Sequence, residues 1–234
     1  MASMAHRISA RLAWGCALLL GIGTGVSGCA SSQDTGVSDP AGHVRFAVPG
    51  DWRPIGASAL AAELKSTIGG SSNAWTVAYE AGPRQKATDF LSFGITQPFV
   101  FADYVPLSAA ASGSMSDDDL RDILFPVTLT ARQKAASQGY PLTGFKQLRD
   151  QVLTLGRGVH GVRETFDYHY GPDADTWDED VVTDAARTVV FLLLVHCTAA
   201  CYGKHQAEIT RLMSSVTASA LARPTGPFST LIGR

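Results

Sequence analysis

The sequence lacks the local signatures of the common catalytic families. It contains no Gly-x-Ser-x-Gly elbow, no Ser-x-x-Lys pair, no phosphate-binding loop and no His-Glu-x-x-His helix, so hydrolase, kinase and zincin interpretations have no motif to support them. A surplus of positive charge is also missing, because 19 basic side chains stand against 21 acidic ones and the formal net charge is -2. This balance argues against a nucleic acid or an anionic lipid surface as the partner.

Long apolar runs are missing as well. The apolar stretch at residues 12–25 follows two arginines and is shorter than the roughly 20 residues that a membrane-spanning helix needs. Its length and basic flank are typical of the core of a secretory signal peptide. The sequence therefore predicts an exported protein.

Val-Ser-Gly-Cys at positions 26–29 follows directly and has the pattern of a lipobox. The small residues let an extended chain enter the cleft of a signal peptidase, and the thiol of Cys29 receives a diacylglycerol. We predict a lipoprotein signal peptide over residues 1–28 and a membrane anchor formed by the diacylglycerol on Cys29. The protein would then lie on the extracytoplasmic face of the cell membrane. An ordinary cleaved signal or a retained anchor is the alternative.

Two cysteines, Cys197 and Cys201, remain in the predicted mature chain, because Cys16 leaves with the signal and Cys29 carries lipid. A close pair in an oxidising compartment most often forms a disulfide, worth roughly 2 kcal/mol for so small a loop. We predict this bond. Free buried thiols are a second interpretation, and a zinc site with His196 is a third. His196 and Cys197 are neighbours on a predicted strand and point to opposite faces, which argues against zinc.

One globular domain is predicted over residues 43–220. The polar segment at 29–42 has the composition of a flexible tether after the lipidated cysteine. Residues 221–234, which follow the domain, are predicted to form a loose tail. The length between them is sufficient for a single domain with a substantial core.

Hydrophobic patterns place the main elements. The run at 188–195 is apolar at both parities, so it is predicted to lie in the middle of a sheet that is covered on both faces. A helix that starts near Lys204 should cover one face, since its apolar residues recur at helical spacing. Ser116 and three aspartates predict a capped helix start, and Pro126 either kinks that helix or divides it in two. Extended segments at 145–155 and 159–170 precede the central strand.

No pattern predicts a metal or a cofactor. Residues 173–177 begin like a calcium loop, but Trp177 stands where an oxygen ligand is needed, so a solvated acidic hairpin is predicted. His160 and His169 differ by an odd number of positions and face opposite ways on one strand. We interpret them, with His43, as surface histidines rather than catalytic bases.

Residues 159–170 carry one face that is polar throughout. We interpret it as a solvated strand face and also as the candidate binding surface. Its members are Arg163, Thr165, Asp167 and His169. A set of aromatic residues has two interpretations, the lining of a pocket for a lipid or the packing of the core, of which core packing is expected. This set consists of Trp52, Trp75, Phe99, Phe101 and Tyr104.

The order of these elements resembles actinobacterial lipoproteins with a PsbP-like domain. The resemblance is carried by residues 44–52 (Val-Arg-Phe-Ala-Val-Pro-Gly-Asp-Trp), 120–122 (Leu-Arg-Asp), 142–145 (Leu-Thr-Gly-Phe) and 192–197 (Leu-Leu-Leu-Val-His-Cys) through 208–209. It implies an α+β fold, a three-layer α/β/α sandwich with a central, mainly antiparallel sheet and a C-terminal helix packed on it. It also implies a binding or scaffold module with no catalytic residues to transfer. The cysteine pair is not part of that domain pattern.

The sequence thus predicts a lipid-anchored, non-catalytic binding or scaffold module at the cell envelope, with an envelope protein or an apolar ligand as partner. A carrier of lipid is one alternative, and an envelope hydrolase with a spatially assembled triad is another. A deep apolar cavity would favour the carrier, and a cleft with a perturbed histidine beside a serine or an aspartate would favour the enzyme.

Overall fold

The computed structural model describes residues 33–67, 75–218 and 221. The predicted signal peptide, Cys29 and all but the first residue of the predicted tail lie outside this part of the chain. Within it, no helix is long and apolar enough to span a membrane.

Ten strands and five helices make up the described part of the chain. In chain order they are β1 (Thr35–Ser38), β2 (Val44–Val48), β3 (Arg53–Pro54), α1 (Ala57–Thr67), β4 (Trp75–Glu80), β5 (Phe99–Pro106), α2 (Ala109–Ser114), α3 (Asp117–Arg121), α4 (Leu129–Ser137), β6 (Leu142–Gly156), β7 (Val159–Tyr170), β8 (Asp173–Thr183), β9 (Val189–Thr198), α5 (Ala199–Ser214) and β10 (Thr217–Ala218). A short 3-10 helix, Ala87–Asp89, lies between β4 and β5.

Seven strands form an antiparallel sheet in the order β3-β4-β5-β9-β8-β7-β6. β9 occupies the middle, and its residues are buried from Val189 to Cys197, which confirms the prediction of a strand covered on both faces. β6 forms one edge and is mostly exposed. The α+β fold class with a mainly antiparallel central sheet is therefore confirmed.

Different layers cover the two faces of the large sheet. One face packs against α5 and against a second, three-stranded sheet in the order β1-β2-β10. The other face packs against the helices α1 to α3 and the segments that join them. The layers thus differ from the predicted sandwich in one respect, since one outer layer contains strands as well as α5.

Local signals explain the helix boundaries. The Ser116 hydroxyl accepts a hydrogen bond from the Asp119 N–H, and the Asp119 side chain accepts from the Ser116 N–H, so α3 begins with a complete capping box. Pro126 separates α3 from α4, which is the two-helix alternative that the sequence left open. The carboxylate of Asp122 accepts hydrogen bonds from the N–H groups of Val127 and Thr128 at 2.7 and 2.8 Å and fixes this link.

The predicted tether and domain start need correction. Residues 29–42 are not a tether throughout, because β1 pairs with β2 in the small sheet and its Val37 is buried opposite Phe46. The folded part therefore begins before His43. The prediction failed since β1 contributes a single buried apolar side chain, too few to produce a visible alternation.

The acidic segment at 173–177 also differs from its prediction. It is not a solvated hairpin but the first half of β8, which is hydrogen-bonded to β7 on one side and to β9 on the other. From Asp175 onward β8 is buried, including Asp178, Glu179 and Asp180. Acidic residues inside a sheet are uncommon, so composition alone pointed to a surface.

Candidate functional site

An open groove of about 600 Å³ lies at the end of the large sheet where β7 turns into β8. Its walls come from the end of α1, the loop before β5, the link between α3 and α4, and the start of β6. The lining residues are Thr67, Leu91, Ser92, Phe93, Leu124, Phe125, Tyr140, Pro141, Leu142, Tyr170 and Asp173. Most of this surface is apolar or aromatic, which is the usual character of a binding site.

Aromatic rings form the floor and one side of the groove. The ring of Phe93 lies 5.6 Å from that of Tyr170 and 5.3 Å from that of Trp177, measured between centroids. Phe125 packs 4.3 Å from Trp177 and 6.3 Å from Phe93. Trp177 is fully buried, whereas Tyr140 and Tyr170 are 50% and 51% exposed. The groove therefore has a rigid floor and two accessible tyrosines at its rim.

Backbone hydrogen bonds fix the wall that carries Phe93. The N–H of Gly94 donates to Oδ1 of Asp175 at 2.9 Å, and the N–H of Thr198 donates to the carbonyl of Ile95, also at 2.9 Å. Two strands, β8 and β9, thus hold Gly94 and Ile95, the two residues that directly follow Phe93. The opposite wall is held by the Tyr168 hydroxyl, which donates to the Pro126 carbonyl. The groove is preformed by these contacts.

Beneath the floor lies the imidazole of His196. It stacks on Trp177 with 4.0 Å between centroids and 6° between planes. Burial lowers its pKa to about 3, so it is neutral at physiological pH. Burial outweighs the backbone hydrogen-bonding groups of Phe90 and Asp89, which favour the protonated ring. His196 therefore packs against the rings and has no serine or aspartate to activate.

Asp175 and Asp173 supply the negative charge of this end of the sheet. Burial raises the pKa of Asp175 to about 6, against the hydrogen bond from Gly94, and the nearby charge of Asp173 adds to the effect. Asp173 itself is exposed at the groove rim. With a pKa of about 6, the Asp175 carboxyl group is mostly ionised at neutral pH.

A smaller cavity of about 150 Å³ adjoins the groove and shares Tyr140 and Leu142 with it. The guanidinium carbon of Arg132 lies 4.2 Å above the centre of the Phe145 ring in its wall, a cation–π contact. The positive charge of Arg132 thus lies against an aromatic face.

Two buried carboxyl groups lie side by side on the helix-covered face of the sheet. Glu164 on β7 is directly opposite Glu179 on β8, and both side chains are 0% exposed. Burial raises the pKa of Glu164 to about 8 and that of Glu179 well above its usual value. Arg121 reaches Glu164 with 3.7 Å between Nε and Oε1 and also bonds Asp150 at 3.1 Å. Because this pair lies inside the core, it affects the stability of the fold and is not part of a binding surface.

The predicted binding face of β7 is not a solvated surface. The Nε of Arg163 donates to Oδ1 of Asp180 at 2.5 Å, and its terminal nitrogen donates to the Met213 carbonyl at 2.7 Å, which ties α5 to the sheet. Thr165 is 5% exposed and donates to Asp178 at 3.2 Å. The prediction is wrong for these two residues, because α5 covers them and their polar groups form hydrogen bonds inside the protein.

The outer half of that face remains nearer to solvent. Asp167 is half-buried and accepts a hydrogen bond from the Thr176 hydroxyl at 2.7 Å. His169 is exposed, and its ring lies beside Gly144. Neither side chain lines the groove. Of the four residues predicted to form one surface, Arg163 and Thr165 thus belong to an internal hydrogen-bond network. Asp167 and His169 lie nearer to solvent and outside the groove.

Cys197 and Cys201 are bonded to each other, as predicted. The bond joins the end of β9 to the first turn of α5, whose start is capped by the Thr198 hydroxyl. His196 points to the other face of the sheet, since it stacks on Trp177. The thiolates that a zinc ion would require are consumed by the bond.

Histidine and carboxylate side chains of the described segments do not converge on a metal site. No group of three or more His, Cys, Asp or Glu residues there could hold an ion. The Nδ1 of His160 contacts the Gly158 carbonyl at 3.1 Å, and that of His43 contacts Asp39 at 3.2 Å. His43 also stacks against the ring of Tyr104 on β5.

The aromatic set named from the sequence belongs to the core. Trp52, Phe99, Phe101 and Tyr104 are at most 4% exposed, and Trp75 packs at the edge of the same interior. The rings that line the groove were missed: Phe93, Phe125, Tyr140 and Tyr170. Phe93 and Tyr140 lie in loops rich in glycine, serine and proline, and loops often carry binding residues, which was the available signal.

Comparisons with known proteins complete the description of the site. No protein-family model matches the chain, and no curated protein matches it. Among solved structures, the chain is similar to cyanobacterial PsbP from Synechocystis sp. PCC 6803, with a TM-score of 0.47 and 9% identity over 82% of this chain and 95% of that chain. A PsbP structure is thus among those found, while membership of the actinobacterial lipoproteins stays a prediction.

Two further structures show similar likeness. The Ran-binding protein Mog1p of Saccharomyces cerevisiae has a TM-score of 0.42 and 8% identity, over 81% of this chain and 97% of that chain. LpqN of Mycobacterium tuberculosis, described as involved in cell envelope biogenesis, has a TM-score of 0.41 and 14% identity, over 79% of this chain and 90% of that chain. At these values the likeness assigns no function to this chain.

Proposed function

We propose that the chain is a lipid-anchored, extracytoplasmic binding module that holds an extended, apolar segment of a partner protein in the aromatic groove. The groove itself is the observation that carries the proposal. It combines a preformed apolar floor with half-exposed tyrosines, and tyrosine is a residue type that concentrates binding energy at interfaces.

The open shape of the groove favours a protein segment over a lipid. A carrier of lipid buries most of its ligand in an enclosed cavity, typically 70–90% of the surface. Here the rim tyrosines stay half exposed, and the floor is closed by Trp177 and His196. An extended segment needs only one side covered, because its backbone can remain in water.

Selection from a displayed library of random heptapeptides tests the proposal. We expect the purified protein to enrich sequences with apolar and aromatic residues, and we expect Tyr170→Ala to weaken binding of the enriched peptides at least fivefold, the usual loss at a central interface residue. Leu129→Ala is the matched control, since Leu129 is 61% exposed but lies outside the groove. No enrichment, or equal losses in both variants, would contradict the proposal.

A further inference from the structure

Asp173 is the single charged side chain among the described residues that line the groove. It directly follows the turn after β7 and pairs across that turn with Tyr170, whose ring lies 5.6 Å from Phe93. The carboxylate and the two rings therefore share one end of the groove. Asp173 forms no ion pair with any described residue, so its charge is not neutralised within this part of the fold.

The position of the Asp173 carboxylate is set by close packing. Gly94, next to Phe93, has a φ of +78°, and a methyl group on its Cα would lie 2.9 Å from the carboxyl carbon of Asp173. The loop can approach the carboxylate this closely only because Gly94 has no side chain. The hydrogen bond from Gly94 to Asp175 holds the same loop from below. The same loop thus fixes the Phe93 ring and the Asp173 carboxylate relative to each other.

No positive charge from the groove lining compensates these acids. The nearest cavity has Arg132 in its wall, but its guanidinium covers the Phe145 ring. Asp173 and Asp175 project from the same face of β8, two positions apart, so their fields add at the rim. A carboxylate that lines the same end of a groove as two aromatic rings can attract a cation by two mechanisms at once, an ion pair and a cation–π contact.

We propose that the partner segment bound in the groove carries a lysine or arginine, whose cationic group sits against Asp173 and the rings of Phe93 and Tyr170. This inference rests on the proposed function of the groove and adds the chemistry that selects the partner. The apolar floor supplies affinity for the flanking residues of the segment, and this cation subsite selects segments with a basic residue at one position.

The peptide selection provides the first test. Enriched heptapeptides should carry a lysine or arginine at a fixed position, and selection on Asp173→Asn should weaken this preference while apolar enrichment persists. Asp51→Asn is the matched control, because it removes the same charge from an exposed turn outside the groove. It should retain the basic position.

Binding constants supply the second test. Replacing the basic residue of an enriched peptide by norleucine keeps the aliphatic chain and removes the charge. We expect about a fivefold loss of affinity in the wild-type protein, as the sum of an exposed ion pair and a cation–π contact implies, and a smaller loss in Asp173→Asn, where only the cation–π contact remains. The wild-type difference should shrink at high salt.

The possible outcomes distinguish the cation subsite from the binding groove that contains it. Peptides that bind the groove without a basic position, or with equal affinity for the lysine and norleucine forms, would overturn the cation subsite and leave the binding groove standing. A preference of undiminished strength in Asp173→Asn would overturn it as well. Failure to enrich any peptide that depends on Tyr170 would overturn the proposed function and the subsite together.

Discussion

Glu164 is the side chain through which pH should control the stability of this fold. It is fully buried opposite Glu179, and burial together with the charge of Asp150 raises its pKa from 4.5 to about 8, against the favourable charge of Arg121. The folded protein therefore keeps the proton on Glu164 at pH 7. The unfolded chain, with an ordinary pKa, releases it.

The sign and size of the effect follow from this difference. Between pH 4.5 and about 8 the unfolded chain binds fewer protons at this site than the folded protein does, so the free energy of unfolding falls by roughly 1.4 kcal/mol per pH unit. At pH 7 the loss reaches roughly 3 kcal/mol. Glu164→Gln preserves shape and the contact with Gln147 but cannot ionise. We expect it to raise stability by roughly 2–3 kcal/mol at pH 7 and to have little effect near pH 4.5.

Urea denaturation at several pH values between 4.5 and 8, followed by tryptophan fluorescence, measures this difference. Glu179 contributes a slope of the same sign in both proteins, and because the charge of Glu164 raises the pKa of Glu179, the difference between the two proteins reports Glu164 together with its coupling to Glu179. Asp118→Asn is the control, because Asp118 contacts the same Arg121 but is 75% exposed. Parallel stability curves for the wild type and Glu164→Gln would refute the reasoning, since they would show that Glu164 is already ionised in the folded protein.

Three further outcomes are expected. Cys29→Ala should abolish lipid labelling in cells, and undiminished acyl labelling would contradict the anchor. Mass spectrometry of alkylated, unreduced protein should find Cys197 and Cys201 unmodified, and reduction should lower the free energy of unfolding by roughly 2 kcal/mol. Arg163→Ala should destabilise the fold by roughly 3 kcal/mol or more, because it leaves Asp180 buried and unpaired, and a loss below 1 kcal/mol in urea denaturation would exclude this network.

Sequence periodicity was sufficient where burial is apolar and local. The doubly buried strand β9 and the amphipathic helix α5 were both predicted, since the core contacts of Ile209, Leu212 and Met213 recur at helical spacing. The start of α3 was equally visible, because Ser116 and the acids after it form the capping box within four residues.

Periodicity failed where the interior is polar. Arg163 and Asp178 sit on strands that look half solvated, and only the position of α5, far along the chain, makes them internal. The same holds for Glu164 and Glu179, whose register across β7 and β8 no local pattern reveals. Charged residues normally lie on the surface, so the sequence pattern predicts exposure for residues that in fact form buried networks.

The groove could not be predicted for a related reason. Its rings come from segments as distant as Phe93 and Tyr170, and they meet only because Asp175 and Thr198 hold the loop before β5. A site of this kind depends on the packing of loops, which local propensity does not encode. The cysteine pair, by contrast, was predictable because its loop is short.

Site-resolved crosslinking tests the central claim most directly. A peptide enriched by the wild-type protein, synthesised with a photoreactive benzophenone in place of one apolar residue, is irradiated with the protein, and the crosslinked positions are mapped by mass spectrometry. The account predicts adducts at residues 91–93, 124–125, 140–142 and 170, and their loss in Tyr170→Ala. Adducts that concentrate instead on the exposed edge strand β6 or on the outer surface of α5 would contradict it.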